Sequence, residues 1–361
     1  MVTEISDLLN IDPSNLNFPL LDGVLAPGLI DSHVHLGLDG SGDVVGNLQN
    51  APQDLLRERI RSNRRAYLLA GITTVRDLGC PLSLLTSDNT LRQEAPDLSS
   101  VIAAQAISSA TGHGNFVSKT AESLADYKRI IDDLDPQATP FIKLFASGGV
   151  ITKGTNPGSV QMSEELLEQV VTHAHRRGFL IAAHAHSRKS IQNAIRANVN
   201  TIEHFSYLHD DDLDEIDDSN SWLVSTYIAT KRFVSQLEHA DTEPEAREKI
   251  IRHAPSEFQS LQRSVAISRK ILAGSDSGTI LNPHPFGLLE QTEQMLLAGF
   301  SSQEALMSIT SRAGEALGAR IGQISEGYAA DFVLLPSNPI SDPSALSKIK
   351  TVIKHGKVLG E

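Results

Sequence analysis

The sequence predicts an α/β protein, a (β/α)8 TIM barrel with a small β appendage formed by the N- and C-terminal segments. Three observations support this fold class. Short, apolar, β-branched runs alternate with longer amphipathic segments, which is typical of parallel βαβ units. Eight such runs occur within about 250 residues, the usual length of one barrel. Polar residues occur where these runs end, and in a barrel those ends converge on one face.

The eight predicted strands follow one another at intervals that mostly hold a helix. In chain order they cover residues 29–33, 72–77, 101–107, 141–145, 180–184, 201–204, 223–228 and 271–276. An open, doubly wound sheet would give the same strands, so the count alone does not separate the two architectures. The polar strand ends favour the barrel, because a barrel brings all of them to one face.

The segments between the strands carry helix signals. Residues 55–69 place apolar side chains at near-helical spacing, and Gly71 follows where a helix would end. Ser163 is a suitable N-cap, with Glu164 and Glu165 in the first turn, where the helix dipole favours acids. Residues 304–317 form a further predicted helix.

The two ends of the chain are predicted to form the appendage. Residues 330–335 and 350–359 have the composition of strands and are separated by a loop with Pro and Ser at 336–347. Two strands cannot bury a face alone, so we expect them to pack against residues from the first thirty. The predicted division assigns residues 1–27 and 327–361 to the appendage and residues 28–326 to the barrel.

Composition and charge narrow the range of partners. The chain has 361 residues, with 31 Lys and Arg against 44 Asp and Glu, and a formal net charge of −13. That acidic balance disfavours nucleic acid and anionic membranes, which need a basic surface. The single cysteine, Cys80, excludes a disulfide scaffold. The first residues lack a secretory signal, and no apolar run reaches the roughly 20 residues that span a bilayer, so we expect a cytoplasmic protein.

A His-x-His pattern lies in the first predicted strand. His33 and His35 occupy alternate positions of an extended chain, so both imidazoles point to the same side and can bind one ion. Taken alone, such a short pattern is more often two unrelated histidines.

The pattern recurs at other strand ends. His184 and His186 repeat it, while His204 and Asp276 end two further apolar strands. Polar groups that end buried strands need a partner. A divalent cation is the simplest partner that satisfies several neutral imidazoles and a carboxylate together.

One amine lies inside an otherwise apolar strand, Lys143 in Phe-Ile-Lys-Leu-Phe at 141–145. A bare ammonium is strongly disfavoured there. One interpretation is a buried lysine with a lowered pKa or with an acid as partner. The other is that the amine has taken up CO2, which turns the cation into an anion whose two oxygens can bridge two metals.

Together these segments resemble the amidohydrolase superfamily, and within it the binuclear subtype with a carboxylated lysine. The resemblance runs from about Pro27 to Gly356. Its motifs are Pro-Gly-Leu-Ile-Asp-Ser-His-Val-His (27–35), Gly-Ile-Thr-Thr-Val-Arg-Asp (71–77), Ile-Lys-Leu (142–144), His-Ala-His (184–186), Ile-Glu-His (202–204), Ser-Asp-Ser-Gly (275–278) and Gly-Tyr-Ala-Ala-Asp-Phe-Val-Leu-Leu (327–335). The run at 203–207 is similar to Xaa-Pro dipeptidases and ochratoxinase-like carboxypeptidases, and imidazolonepropionases are a more distant likeness.

The resemblance implies two divalent metal ions, expected to be Zn2+, and a CO2-derived carbamate that bridges them. The implied ligands are His33, His35 and Asp276 for the more buried metal, His184 and His204 for the second, and carbamylated Lys143 for both. The family's spacing of twenty residues to the next ligand selects His184 from its pair. His186 would then polarise the scissile carbonyl.

The implied reaction is hydrolysis of an amide by a hydroxide that the two metals activate. Asp276 would accept the water proton and return it to the leaving amine. We expect a small substrate that carries a carboxylate, an N-acyl amino acid or dipeptide, and a homo-oligomeric enzyme. The expected substrate contacts are His113, Tyr207 and Arg188, with Lys231 and Arg232 as further candidate clamps for the carboxylate.

Three other functions remain open from the sequence. The same centre can serve a lactone, cyclic-amide or phosphoester hydrolase, since the barrel loops and not the ligands select the substrate. A catalytically silent binding protein would lack at least one ligand, whereas every implied ligand is present. A mononuclear deaminase of the same fold has no use for a bridging Lys143.

Overall fold

The central feature of the fold is a parallel sheet that curls into a barrel. The structure, a computed structural model, describes residues 22–81, 84, 98–238 and 242–359. A first strand, β1 (Val24–Pro27), belongs to a separate sheet. The following strands are β2 (Leu29–Val34), β3 (Ile72–Asp77), β4 (Ser100–Ser108), β5 (Lys119–Thr120), β6 (Phe141–Phe145), β7 (Leu180–Ala185), β8 (Thr201–His204), β9 (Trp222–Ser225) and β10 (Ile271–Ala273).

Hydrogen bonds between the first and last barrel strands close the sheet. The order is β10-β9-β8-β7-β6-β4-β3-β2 with parallel neighbours, and the short β5 pairs with β4 off this path. At the seam, Asp276 N donates to His33 O (2.8 Å), and His35 N donates to Ser277 O (2.9 Å). The predicted (β/α)8 barrel is therefore confirmed, and the open sheet is not the architecture.

Two predicted strands are too long. The strand predicted at 223–228 ends at Ser225, and Tyr227 begins a helix. The strand predicted at 271–276 ends at Ala273, because Asp276 adopts a positive φ of 52° that a strand does not allow. In both cases buried residues continue past the end of the strand. The sequence pattern therefore does not mark the boundary, and the predicted strand is too long.

Helices pack around the barrel and connect its strands. They are α1 (Val44–Asn50), α2 (Gln53–Leu69), α3 (Leu124–Asp132), α4 (Glu164–Arg176), α5 (Arg188–Arg196), α6 (Leu213–Asp218), α7 (Tyr227–Gln236), α8 (Pro244–Arg263), α9 (Gly287–Ala298), α10 (Ser302–Ser308) and α11 (Ser311–Ala316). The helix predicted at 304–317 is thus two helices, because Thr310 leaves the helical region with φ −136° and ψ −105°. Ser163 caps α4 as predicted, accepting from Leu166 N. Among the described residues no helix is long and apolar enough to cross a bilayer.

The two ends of the described chain form a second, antiparallel sheet. Its order is β1-β11-β12-β13, where the later strands are β11 (Phe332–Leu335), β12 (Thr351–Lys354) and β13 (Lys357–Val358). The sheet confirms that segments from both termini build the appendage. Residues 1–21, which the prediction also placed there, lie outside the described residues, and the predicted domain boundaries stay a prediction.

A buried lysine joins the appendage to the barrel. Lys354 Nζ, whose side chain is 1% exposed, pairs with Asp331 Oδ2 (2.6 Å) of the appendage and donates to Thr73 O (3.1 Å) of β3. The ion pair compensates an ammonium that would be disfavoured alone, and the bond to Thr73 connects the second sheet to the barrel wall.

Candidate active site

The carboxyl ends of the barrel strands bring together the polar residues that the sequence analysis singled out. A first cluster holds His33 from β2, His35 directly after β2, and Asp276 beyond β10. The Oδ1 atom of Asp276 lies 3.3 Å from His33 Nε2 and 3.2 Å from His35 Nε2. One ligand atom from each residue lies within 4.8 Å of the others, a spacing suited to one metal ion.

A buried ion pair inside the barrel orients His33. Its Nδ1 lies 2.9 Å from Oε2 of Glu203, which also binds Arg76 through two hydrogen bonds of 2.9 and 3.1 Å. Arg76 also donates to Ser32 O (2.6 Å) and Thr201 Oγ1 (2.8 Å). A carboxylate behind the ring holds the proton at Nδ1, which leaves the lone pair of Nε2 directed to Asp276.

The backbone at the first cluster is shaped to fit the side chains. A Cβ added to Gly274 would lie 2.6 Å from the Cβ of His33, so only glycine allows this approach. Asp276 and His204 hold positive φ angles of 52° and 75°. Such angles cost about 1–3 kcal/mol for residues other than glycine and are concentrated at functional sites.

A second cluster holds three histidines, His184 and His186 from the β7 end and His204 from the β8 end. Their ring centroids lie 4.4–4.7 Å apart, and one nitrogen from each lies within 4.8 Å of the others. The rings of His204 and His33 are 5.0 Å apart, which joins the two clusters. The geometry gathers both members of the His-x-His pair, whereas the sequence analysis assigned only His184 as a ligand; that choice stays a prediction.

Hydrogen bonds that two rings donate to backbone carbonyls set which nitrogen of each ring stays free. His35 Nδ1 donates to Gly79 O (3.2 Å), and His184 Nε2 donates to Gly148 O (3.1 Å). A carbonyl only accepts, so each of these nitrogens carries the proton. When each ring carries one proton, the lone pairs available to an ion are therefore on Nε2 of His35 and on Nδ1 of His184.

Burial keeps most of these rings uncharged. It lowers the pKa of His33, His184 and His204 well below the usual value, and the same cause lowers that of His186. His35 differs: burial opposes its charged form, but the hydrogen bond with Asp276 raises the pKa of the ring. Neutral imidazoles are the form that binds metal.

Lys143 lies on β6 at the same cavity, 1% exposed, and its Nζ has no hydrogen-bond partner among the described residues. Burial lowers the pKa of this amine to about 8. The uncharged amine is the form of lysine that reacts with CO2, and the lowered pKa makes this form more accessible at a side chain that faces the same cavity as the two histidine clusters. An ammonium left unpaired in this place would be strongly disfavoured.

The clusters form the floor of a cavity of about 80 Å³ whose walls are mainly apolar. The wall residues include Phe116, Val150, Ile151, Phe233, Ile250 and Ile280. His113 also lines it, and its ring lies 4.5 Å from that of His184. A Cβ on Gly149 would lie 2.3 Å from His113 Nε2, so this glycine makes room for the ring. Burial lowers the pKa of His113 to about 3.

The other expected substrate contacts are not brought into this cavity. Tyr207 lines a neighbouring cavity, where its ring lies 5.2 Å from that of His253. Arg188 forms an ion pair with Asp212, with Nε 3.0 Å from Oδ2, so its guanidinium already has a carboxylate partner. Arg232 is likewise paired with Glu290, and Lys231 is exposed on α7.

The sequence analysis missed three residues around the cavity. Glu257 and Thr230 line it, and His253 packs on His186 with ring centroids 4.6 Å apart. All three lie on helices α7 and α8, away from the strand ends where the motifs occur. Nothing in the local sequence marks a helical residue that faces a cavity, because helices present polar residues to solvent at the same spacing.

A closed barrel with histidines and acids at the carboxyl ends of its strands defines a barrel enzyme, since that face holds the active site in this fold. The family model of the Amidohydrolase family matches residues 24–359, and the chain belongs to this family. It is a hydrolase of the kind that acts on C–N bonds.

Individual relatives agree with this assignment. Ochratoxinase from Aspergillus niger is 28% identical over 374 residues, a match that covers 93% of this chain and 75% of that protein. A crystal structure of a prolidase complexed with N-methylphosphonate-L-proline shares the fold with a TM-score of 0.81 at 23% identity, covering 93% of this chain and 86% of the other. A Xaa-Pro dipeptidase with bound methionine has a TM-score of 0.79 at 23% identity, covering 92% and 86%.

Proposed function

We propose that this protein is a binuclear metal-dependent amidohydrolase that cleaves the amide bond of a small N-acyl amino acid or dipeptide. The observation that carries the proposal is the pair of ligand clusters around the unpartnered amine of Lys143. A single-metal site needs only one of these clusters. Two clusters with a lysine facing the same cavity match the requirement for two ions and a bridge.

The residues present fit such a centre. His33, His35 and Asp276 would hold one ion, and His184 and His204 the other, with carbamylated Lys143 shared. The donor set of imidazoles and carboxylates suits Zn2+. The orphaned Nζ of Lys143 and the lone pairs fixed on His35 and His184 are free for these roles. Bound there, two divalent ions supply an activated water at neutral pH and polarise a carbonyl.

Protein side chains would move the protons. Asp276 accepts a proton from the attacking water and delivers it to the leaving nitrogen, which requires a carboxylate at the floor of the cavity. His186 is held by Ser206, whose Oγ lies 2.7 Å from Nδ1. With the Ser206 hydroxyl as donor, the Nε2–H of His186 is free to bond the carbonyl oxygen of the substrate. His113 would contact the substrate from the opposite wall.

Relatives support an amide with a carboxylate on the leaving side. One similar structure is a prolidase complexed with N-methylphosphonate-L-proline, and one relative is an ochratoxinase. The second candidate, a lactone, cyclic-amide or phosphoester hydrolase, uses the same floor, and only the cavity walls distinguish it. The mainly apolar walls favour a substrate with an apolar side chain next to the scissile bond.

The test is hydrolysis by the purified enzyme of a panel of dipeptides and N-acyl amino acids beside lactones and phosphoesters. We expect turnover of amides, loss of activity after chelation, and recovery on adding Zn2+ to about two ions per chain. An enzyme that keeps full activity without metal, or that turns over only lactones or phosphoesters, would contradict the proposal.

A further inference from the structure

One acid in the wall of the cavity belongs to neither histidine cluster. Glu257 lies on α8, is 3% exposed and lines the same cavity as the proposed metal ligands. Its Oε2 accepts a hydrogen bond from Thr230 Oγ1 (2.6 Å) on α7. The neighbouring wall residues, Phe233 and Ile250, are apolar. A carboxyl group is thus placed by two helices in a wall that otherwise suits a hydrocarbon.

In the described part of the chain, no Lys or Arg forms an ion pair with Glu257. The nearest basic group is His253, whose Nε2 lies 3.5 Å from Glu257 Oε2. Burial lowers the pKa of His253 to about 4, so the ring is neutral near pH 7. Neither nitrogen of that ring has a hydrogen-bond partner among the described residues.

A buried carboxyl without a cation has two ways to avoid the cost of its charge. It holds a proton, which agrees with a pKa raised by burial to about 8. Alternatively, a ligand brings the missing positive charge. The position of Glu257 on the wall of the substrate cavity, rather than in the packed core, makes the second route available to a bound substrate.

We propose that Glu257 binds a positively charged nitrogen of the substrate, on the acyl side of the scissile amide. This inference rests on the proposed function, in which the leaving amino acid carries the carboxylate. The ammonium then belongs to the acyl residue, so a dipeptide with a free amino terminus is preferred over an N-acyl amino acid. The ammonium donates to Glu257, and Thr230 holds the carboxylate in place.

The test compares two substrates that differ by one group. Ala-Phe carries an α-ammonium where propionyl-Phe carries a hydrogen atom. For the metal-loaded wild-type enzyme we expect kcat/KM to be about 30-fold higher for Ala-Phe, which corresponds to ~2 kcal/mol at 1.4 kcal/mol per tenfold. In Glu257→Gln, which keeps the side-chain shape, kcat/KM for Ala-Phe falls about 30-fold while that for propionyl-Phe changes less than about 3-fold.

Glu248→Gln is the matched control. Glu248 lies on the same helix, is 71% exposed and pairs with Arg252, so this variant is expected to behave as wild type on both substrates. An equal loss on both substrates in Glu257→Gln, or equal wild-type turnover of the two, overturns the role of Glu257 and leaves the proposed function standing.

Binding separates the two proposals further. If wild type hydrolyses no amide of the panel used to test the proposed function, that function fails. Calorimetric binding of alaninamide, which has the ammonium but no carboxylate, then tests Glu257 by itself. Binding that is at least about 10-fold weaker in Glu257→Gln supports the inference, and unchanged binding refutes it.

Discussion

Replacing Arg76 by Met is expected to lower the free energy of unfolding by about 3–5 kcal/mol. The guanidinium is fully buried and bonds Ser32, Thr201 and both carboxylate oxygens of Glu203. Without it, Glu203 keeps a negative charge inside the barrel with no cation bonded to it. The expected magnitude is therefore that of a broken buried ion pair, not that of a lost surface contact.

Differential scanning calorimetry measures this loss. Unfolding entropy of about 2.1 cal/mol/K per residue gives roughly 0.76 kcal/mol/K for 361 residues, so Tm is expected to fall by about 4–7 °C. The double variant Arg76→Met/Glu203→Gln should recover about half of that loss, because the stranded charge is removed. Arg57→Met is the matched control, since its pair with Asp54 is exposed and should shift Tm by less than about 1 °C.

Metal content gives a second readout of the same change. Because Glu203 positions His33, Arg76→Met is expected to weaken metal binding about 10- to 100-fold, as measured by competition with a chromophoric chelator. A Tm within about 1 °C of wild type would refute the reasoning, and so would a double variant no more stable than the single one.

Three further predictions concern the cavity. Lys143→Ala is expected to lose most bound metal and activity, with partial rescue of both by a small carboxylate; full activity in this variant, measured beside its metal content, would exclude a bridge. His186→Ala should lower turnover at least about 10-fold while metal content stays near wild type, and loss of a metal ion would instead make His186 the ligand. Burial raises the pKa of Glu257 to about 8, above its unfolded value, so its contribution to stability is complete at low pH and is lost as pH rises through 8. Unfolding midpoints between pH 6 and 9 should therefore fall less in Glu257→Gln than in wild type, and parallel curves would contradict this.

The barrel could be predicted because its strands carry two signals in the sequence, one along their length and one at their ends. Each is a short apolar run, and several end in a polar residue that needs a partner when it is buried, such as His204. In a barrel of buried parallel strands, the active site lies at the carboxyl ends of the strands. A polar residue that ends an apolar run in the sequence is therefore a candidate site residue. His33 and His35 were placed for this reason, and the structure brings them to Asp276.

The helical side of the cavity could not be predicted in the same way. Glu257 and Thr230 meet only because α7 and α8 pack against each other, a relation between segments that no local pattern contains. The start of α7 was also missed, because buried residues continue from the strand across its end into the first turn of the helix. Arg188 is a candidate clamp for a substrate carboxylate, the structure pairs it with Asp212, and its role as a clamp stays a prediction.

The seam between β2 and β10 has a consequence for when the first cluster is complete. Two of its backbone hydrogen bonds involve His33, His35 and Asp276, so the same contacts that join the sheet also complete this cluster. During synthesis the two histidines come early in the chain, whereas Asp276 follows only after nearly all the other barrel strands. The proposed metal site in this cluster is therefore expected to reach its full affinity only after the last strand has docked.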